Sequence, residues 1–234
     1  MRALLLAAGY GTRLRPLTST IPKCLVPIHG KPLLQIWLER LIEAGISQFL
    51  INTHYLADQV KKFIEHSPYR ECVTLTYEPQ LLGTAGTLIK NFPFFQGQDG
   101  LLIHADNYCL ANFQSFIQAH RQRPPDCLMT MITFRTQDPS LCGIVEIDDG
   151  GVVMAFHEKT KFPPGNLANG AVYILSPKAL SLIKREFAEA KDFSTEIISK
   201  FIGKIFTEET HNFFLDIGTP DSYALANRVE YEHI

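Results

Sequence analysis

The chain has 234 residues, 46% of them hydrophobic, with 22 basic against 24 acidic side chains and a formal charge of −2. That length and apolar content allow a sizeable buried core and exclude a chain disordered by composition. With no basic excess and no dense Lys/Arg run, a nucleic-acid partner is not expected.

The first strand candidate covers residues 3–8 and runs straight into Gly9-Tyr10-Gly11. Its six apolar residues are too few for a secretory leader or a membrane span, and no other segment approaches 18, so no membrane partner is expected. Residues 15–32 carry Pro16, Pro22, Pro27 and Pro32 and cannot form one continuous helix. Residues 33–42 are apolar at helical spacing, and Gly45 stands where a glycine ends a helix. Strands are predicted at 49–51 and 73–77, with a helix at 56–65 between them and another opening at 84–88. The run 101–104 leads to Asp106 in the manner of a central parallel strand. This alternation predicts an α/β fold with a mostly parallel central sheet flanked by helices. Such sheets bind ligands beyond the carboxyl ends of their strands, so residues 9–13 and 105–107 are expected to face one crevice.

The second half is richer in strand patterns, at 128–134, 143–148, 152–157 and 171–175. Asp149-Gly150-Gly151 is a hairpin signal between two of them. Helices are predicted at 177–187 and in the tail, 223–231. With no long linker and no repeat, one domain over residues 1–234 is expected. The cysteines Cys24, Cys72, Cys109, Cys127 and Cys142 are odd in number and include no CxxC pair. That pattern argues against zinc or a disulfide framework and fits free thiols in a reducing cytoplasm.

Gly9-Tyr10-Gly11-Thr12-Arg13 follows a strand directly. Glycines there let backbone N–H groups approach a phosphate, and Arg13 adds charge-assisted hydrogen bonds. The spacing is neither GxGxxG nor a Walker motif, and taken alone the segment is equally well a tight turn. The longer string from Leu6 through Ala7, Ala8 and the glycines to Arg15-Pro16-Leu17-Thr18, then Pro22-Lys23, Pro27 and Lys31-Pro32, resembles the signature of the sugar-1-phosphate nucleotidyltransferase family. Leu82-Gly83-Thr84-Ala85-Gly86 looks like that family's base-contact loop, and Ala105-Asp106-Asn107 stands where its Gly-Asp usually lies. Glu158-Lys159, Asn169-Gly170 and Asp216-Ile217-Gly218-Thr219-Pro220 resemble its later motifs. Within the family, short guanylyltransferases acting on mannose or manno-heptose 1-phosphate look most similar, and short uridylyltransferases next. Ala105, Thr160 and Phe214 depart from the common pattern, which bears on the substrate rather than the chemistry.

The resemblance implies a Rossmann-like nucleotidyltransferase fold with a β-rich, sugar-side half, and a chain that transfers a nucleoside monophosphate from an NTP, GTP favoured, to a sugar 1-phosphate with Mg²⁺ and releases pyrophosphate. It places Arg13 on the leaving pyrophosphate and Lys23 at the α-phosphate. It also implies nucleotide contacts from Leu6, Ala8, Gly9, Gly11, Thr12, Gln80, Gly83 and Thr84. Sugar-phosphate contacts fall to Asn107, Gly143, Glu158, Lys159 and Asn169, and the metal to Asp106 and Asp216. The chain stops just past the last motif, so no β-helix domain of the kind some relatives carry is expected, and the assembly is a monomer or a small homo-oligomer.

The residues have plainer readings too. Asp106 could cap a helix, Asp216 could sit in a turn, and Lys23 could be a solvated lysine. Both aspartates follow apolar runs, however, and two carboxylates at a core edge repel unless a cation joins them. Their oxygens are therefore expected roughly 3–5 Å apart, with Mg–O distances near 2.1 Å. Trp37 and the scattered histidines, His54 and His104 among them, read as packing or surface residues. Two rival functions remain: a dinucleotide oxidoreductase, which needs GxGxxG and an acid at the end of the second strand, and a non-catalytic sensor, which has no need to keep Lys23 and both aspartates.

Overall fold

The structure, a computed structural model, describes residues 1–229. β1 (Arg2–Leu6) is followed by three short 3-10 turns, Thr12–Leu14, Leu17–Ser19 and Lys23–Leu25, as fits a segment that proline bars from a longer helix. β2 (Pro27–Ile28) and β3 (Lys31–Pro32) form a small hairpin leading into α1 (Leu33–Glu43). One face of α1 buries Leu34, Trp37, Leu38 and Leu41. Gly45 ends it with φ 86: its N–H donates to the Ile42 carbonyl, and Ile46 N–H donates to that of Leu41. These two bonds close the last turn around a left-handed residue, which glycine adopts at no steric cost.

β4 (Phe49–Thr53), α2 (Ala57–Glu65) and β5 (Val73–Tyr77) form a parallel unit, Phe49 opposite Val73 and Thr53 opposite Tyr77. Next come α3 (Gly83–Lys90), β6 (Gly100–His104), β7 (Asn107–Cys109) and α4 (Phe113–Gln122). The second half continues through β8 (Met129–Arg135), β9 (Gly143–Ile147), β10 (Val153–Glu158) and β11 (Leu167–Leu175). It closes with α5 (Pro177–Glu186), β12 (Ile205–Glu209), β13 (Phe214–Asp216) and α6 (Pro220–Ala226). α4 and α5 open on the side chains of Asn112 and Ser176, which accept the N–H groups of Ser115 and Ala179. In α6, Thr219 and Ser222 cap each other. α6 stops at Ala226, short of the helix expected to 231, and residues 230–231 of that expectation lie outside the described residues.

The fold is mixed α/β, its sheet strands flanked by helices. Contacts group the chain into two compact units. The first holds residues 1–4, 82–103 and 111–212. β11 is its spine, antiparallel to β6, β8 and β9, while β12 runs parallel to β8, so antiparallel pairing concentrates in the β-rich half. The second unit holds residues 5–81, 104–110 and the chain from 213. In it, β13 pairs antiparallel with β7 and sets Asp216 opposite Asn107. No helix among the described residues is long and apolar enough to cross a membrane.

One buried ionisable contact gives the first unit a pH dependence. His120 on α4 is buried, its Nδ1 2.8 Å from Thr130 Oγ1 and its Nε2 3.6 Å from Asp99 Oδ1. Burial lowers its pKa, Asp99 pushes back, and Arg123 adds to the lowering. The unfolded chain therefore takes up the proton first, and stability falls as pH drops below the ordinary histidine value near 6.5. The same contact lowers Asp99, whose contribution is lost as pH falls through the ordinary carboxylate range, below the histidine window. Urea midpoints should thus fall more between pH 7 and pH 5 for the wild type than for His120→Gln. Equal falls would show that His120 does not carry the dependence.

Candidate active site

The strand-to-loop transition places the first site residues. β1 ends at Leu6, Ala7 and Ala8 are buried, and Gly9 opens the exposed loop. Gly11 has φ 62, and a Cβ there would meet Thr18 Cγ2 at 3.0 Å and Lys23 Cβ at 3.2 Å. Its carbonyl accepts Thr18 Oγ1 at 2.6 Å. Gly11 is thus required by the packing of its own loop. Gly9 is not: nothing lies within 4 Å of a Cβ built on it. Thr12 and Arg13 follow on the exposed side of the loop.

Lys23 is only 6% exposed and its ammonium is the hub of the site. It donates to Asp106 Oδ2 at 2.8 Å and to Asp216 Oδ1 at 3.2 Å. The two bonds cap the separation of those oxygens at about 6 Å. Arg13 Nη2 stands 3.4 Å from the other Asp216 oxygen. Asp106 is not a helix cap: it lies in the tight turn between β6 and β7, and Asp216 ends β13. Burial raises the Asp106 pKa, but Lys23 and the neighbouring His104 outweigh it and leave the carboxyl below its ordinary value. Four charges from four chain segments therefore share one spot, with Lys23 bonded to both carboxylates and favouring the ionised form of Asp106.

α1 secures the turn that carries Asp106. Trp37 Nε1 donates to the Asn107 carbonyl at 2.8 Å and Arg40 Nη2 to that of Leu110 at 2.9 Å. Trp37 is 1% exposed, a core residue with a polar handle. Asn107 is buried, next to Asp106 and opposite Asp216 in the β7–β13 pair, and Gln80 lies exposed after β5.

The remaining candidates lie in the first unit. Gly143 faces Glu158 across the β9–β10 pair, and a Cβ at 143 would stand 2.9 Å from Glu158 Oε2. Lys159 takes φ 45 at the end of β10, its ammonium 3.8 Å from Glu158 Oε1. Burial raises the Glu158 pKa, opposed by Lys159 and reinforced by Asp192. Asn169 Nδ2 donates to Tyr173 Oη at 2.7 Å, and its Oδ1 accepts the Ala171 N–H. Thr84 Oγ1 accepts the Phe193 N–H at 2.7 Å. Gly83 has φ +79, and a Cβ there would collide with the Lys191 carbonyl. Glycine at 83 is thus explained by the protein's own backbone, without a ligand.

Residues 2–232 match the nucleotidyl transferase family. The chain belongs to the nucleotidyl transferase family. Its relatives include the mannose-1-phosphate guanylyltransferase catalytic subunit beta of Xenopus tropicalis, 30% identical over 95% of this chain, and that of Drosophila melanogaster, 31% identical over 95%. The chain spans 62% and 60% of their respective lengths. Among solved structures, HddC from Yersinia pseudotuberculosis in complex with GMP-PN superposes with a TM-score of 0.80 at 28% identity, covering 97% of this chain and 98% of that one. A Bacillus anthracis structure with bound sucrose, at 21% identity, covers 100% of this chain and 98% of that one with a TM-score of 0.82 and shares the fold.

The signature missed Asn52 and His54, which the structure bonds to the glycine loop, and Glu78, which bonds both of them. Asn52 Oδ1 accepts the Ala7 N–H at 2.8 Å, and His54 Nε2 lies 2.8 Å from Tyr10 Oη. The available signal was their spacing, two polar side chains at i and i+2 at the end of an apolar strand, where both point to one face.

The two glycines separate by stability. Gly83→Ala should destabilise the ligand-free protein by roughly 1–3 kcal/mol, the usual cost of a side chain in a left-handed, crowded position. Gly9→Ala should stay within about 0.5 kcal/mol, as at an open surface site. Chemical unfolding of both variants without ligand measures this, and equal losses would refute the packing explanation.

Proposed function

We propose that the chain transfers a guanylyl group from GTP to the 1-phosphate of a mannose- or manno-heptose-type sugar, with both units acting as one nucleotidyltransferase domain. The observation that carries this reading is the Lys23 ammonium bonded to both Asp106 and Asp216, beside Arg13 at the end of a glycine loop. Family membership, the guanylyltransferase names of the relatives and the GMP-PN bound to HddC support it.

A sugar-phosphate oxygen attacks the α-phosphorus. One P–O bond forms, the bond to the β-phosphate breaks, and pyrophosphate leaves with the electron pair. The nucleophile needs no general base, because a phosphate monoester is already largely a dianion above a pKa of roughly 6. The protein's work is to bring two polyanions together and to oppose the charge of the transferring group. Gly9, Gly11 and Thr12 offer backbone N–H groups at the end of β1, with Leu6 and Ala8 leading in. Arg13 bonds the pyrophosphate side and Lys23 the α-phosphate. Gln80, Gly83 and Thr84 serve the base. Lys159 holds the sugar phosphate, Glu158 and Asn169 sugar hydroxyls, and Asn107 and Gly143 line the sugar side.

The carboxylates of Asp106 and Asp216 suit Mg²⁺, which takes hard oxygen ligands and is commonly held by one or two carboxylates plus substrate phosphates. Among the described residues no larger group of His, Cys, Asp or Glu gathers to favour a metal with an all-protein cage. When bound, the ion would neutralise charge on the phosphate oxygens.

A coupled pyrophosphate assay across four NTPs and a panel of sugar 1-phosphates should give the highest kcat/KM with GTP. A higher value with UTP or dTTP would reassign the base. Lys23→Ala should cut kcat by about two to three orders of magnitude, the usual loss for a key electrostatic group. Asp106→Asn and Asp216→Asn should each abolish Mg²⁺-dependent turnover. Near-normal turnover in any of the three, with folding checked by circular dichroism, would remove that residue from the mechanism.

A further inference from the structure

The glycine loop has a second support, away from the charged cluster. Asn52 Oδ1 takes the Ala7 N–H at 2.8 Å, and its Nδ2 donates to Glu78 Oε1 at 3.0 Å. Both residues are buried. His54, two residues past Asn52, has Nδ1 2.7 Å from the Glu78 carbonyl oxygen and Nε2 2.8 Å from Tyr10 Oη. A carbonyl only accepts, so Nδ1 carries the proton. Nε2 of the neutral ring then accepts from the Tyr10 hydroxyl.

The Tyr10 ring is edge-on to His54 at 5.3 Å and tilted against Tyr55 at 5.6 Å. Tyr55 Oη donates to the Thr18 carbonyl at 3.0 Å, while Thr18 Oγ1 donates to the Gly11 carbonyl. The loop is therefore tied at three points: Ala7 before the glycines, Tyr10 between them and Gly11 after.

Of these ties the middle one is the most exposed to loss. Tyr10 is 45% exposed and sits between two glycines, which leave the backbone free to turn unless the side chain is held. We propose that His54 is a positioning residue for the glycine loop: braced on the Glu78 carbonyl, it fixes Tyr10 and so orders the backbone N–H groups of residues 9–12 for an anionic ligand. The inference rests on the nucleotidyl-transfer reading only for the identity of that anion, the triphosphate.

The test is amide hydrogen exchange of residues 9–12 in the intact, ligand-free chain, followed by kinetics. Tyr10→Phe keeps the ring and removes the hydroxyl; His54→Ala removes the brace. Each should speed exchange of the loop about two- to tenfold, the range corresponding to one net hydrogen bond, with β4 and β5 unchanged. The double variant should be no faster than the faster single, as for two residues acting through one bond. In turnover, each single should raise KM for GTP while kcat and KM for the sugar phosphate stay within about twofold, since only the triphosphate meets the loop. Unchanged exchange, additive effects, or equal rises in both KM values would overturn the proposal. Faster loop exchange in the variants of a chain that turns over no NTP would support His54 as a positioning residue and defeat the nucleotidyl-transfer reading instead.

Discussion

A buried ammonium shared by two carboxylates organises the second unit. Lysine is rarely buried unless paired, because an isolated charge in the interior is costly. Lys23 satisfies that condition with Asp106 and Asp216, which lie 83 and 193 residues further along the chain. Neither carboxylate reaches it by chance of local sequence. Asp106 is delivered by a turn whose following strand, β7, is gripped by Trp37 and Arg40 from α1. Asp216 is delivered by β13, which pairs with that same β7. The three-residue strands β7 and β13 are thus a device for bringing two acids to one cation. Removing the cation would take from Asp106 the ion pair that offsets its partial burial and would leave Asp216 with Arg13 alone.

Much of this was legible in the sequence because it is written in runs of adjacent residues. The apolar stretches give β4, β5 and β6 to within two residues and the apolar period gives α1; the glycines and Lys23 of the signature fall on the loop and the charged cluster described above. What was not legible falls into two kinds. α4 is not among the sequence-predicted helices: Phe113, Phe116 and Ile117 stand at helical spacing, but the apolar residues cover little more than one turn and the rest of the helix is mostly polar. β7 and β13 are only three residues long, and β12 is apolar only at Ile205 and Phe206, so these strands are defined by their partners. β12 is defined by lying parallel to β8, from Ile205 opposite Met129 to Glu209 opposite Thr133. No local pattern carries that information.

Glycines show the same limit within the site. Gly9, Gly11 and Gly83 all fall in motifs that resemble ligand-binding loops, and the sequence treats them alike. In space they differ. Gly11 and Gly83 take left-handed backbone and would strike Thr18 and the Lys191 carbonyl, whereas Gly9 faces open space. For two of the three, the absence of a side chain is demanded by the protein itself. Only at Gly9 does it leave room that no protein atom fills.

The polar end of β4 bears on the dinucleotide alternative as well. A dinucleotide-binding unit uses the end of its second strand to offer a carboxylate to a ribose hydroxyl. Here that position carries Asn52, and both ends of its amide are committed inside the protein, the oxygen to the Ala7 N–H and the nitrogen to Glu78. The nearest acid, Glu78, is buried and turned toward Asn52. Redirecting Asn52 to a ribose would strip the glycine loop of its first tie and take the acceptor from the buried Ala7 N–H, at a cost of about 1–3 kcal/mol. The strand end is therefore spent on shaping the glycine loop. That is the reverse of the dinucleotide arrangement, in which the strand end turns its polar group outward to the ligand.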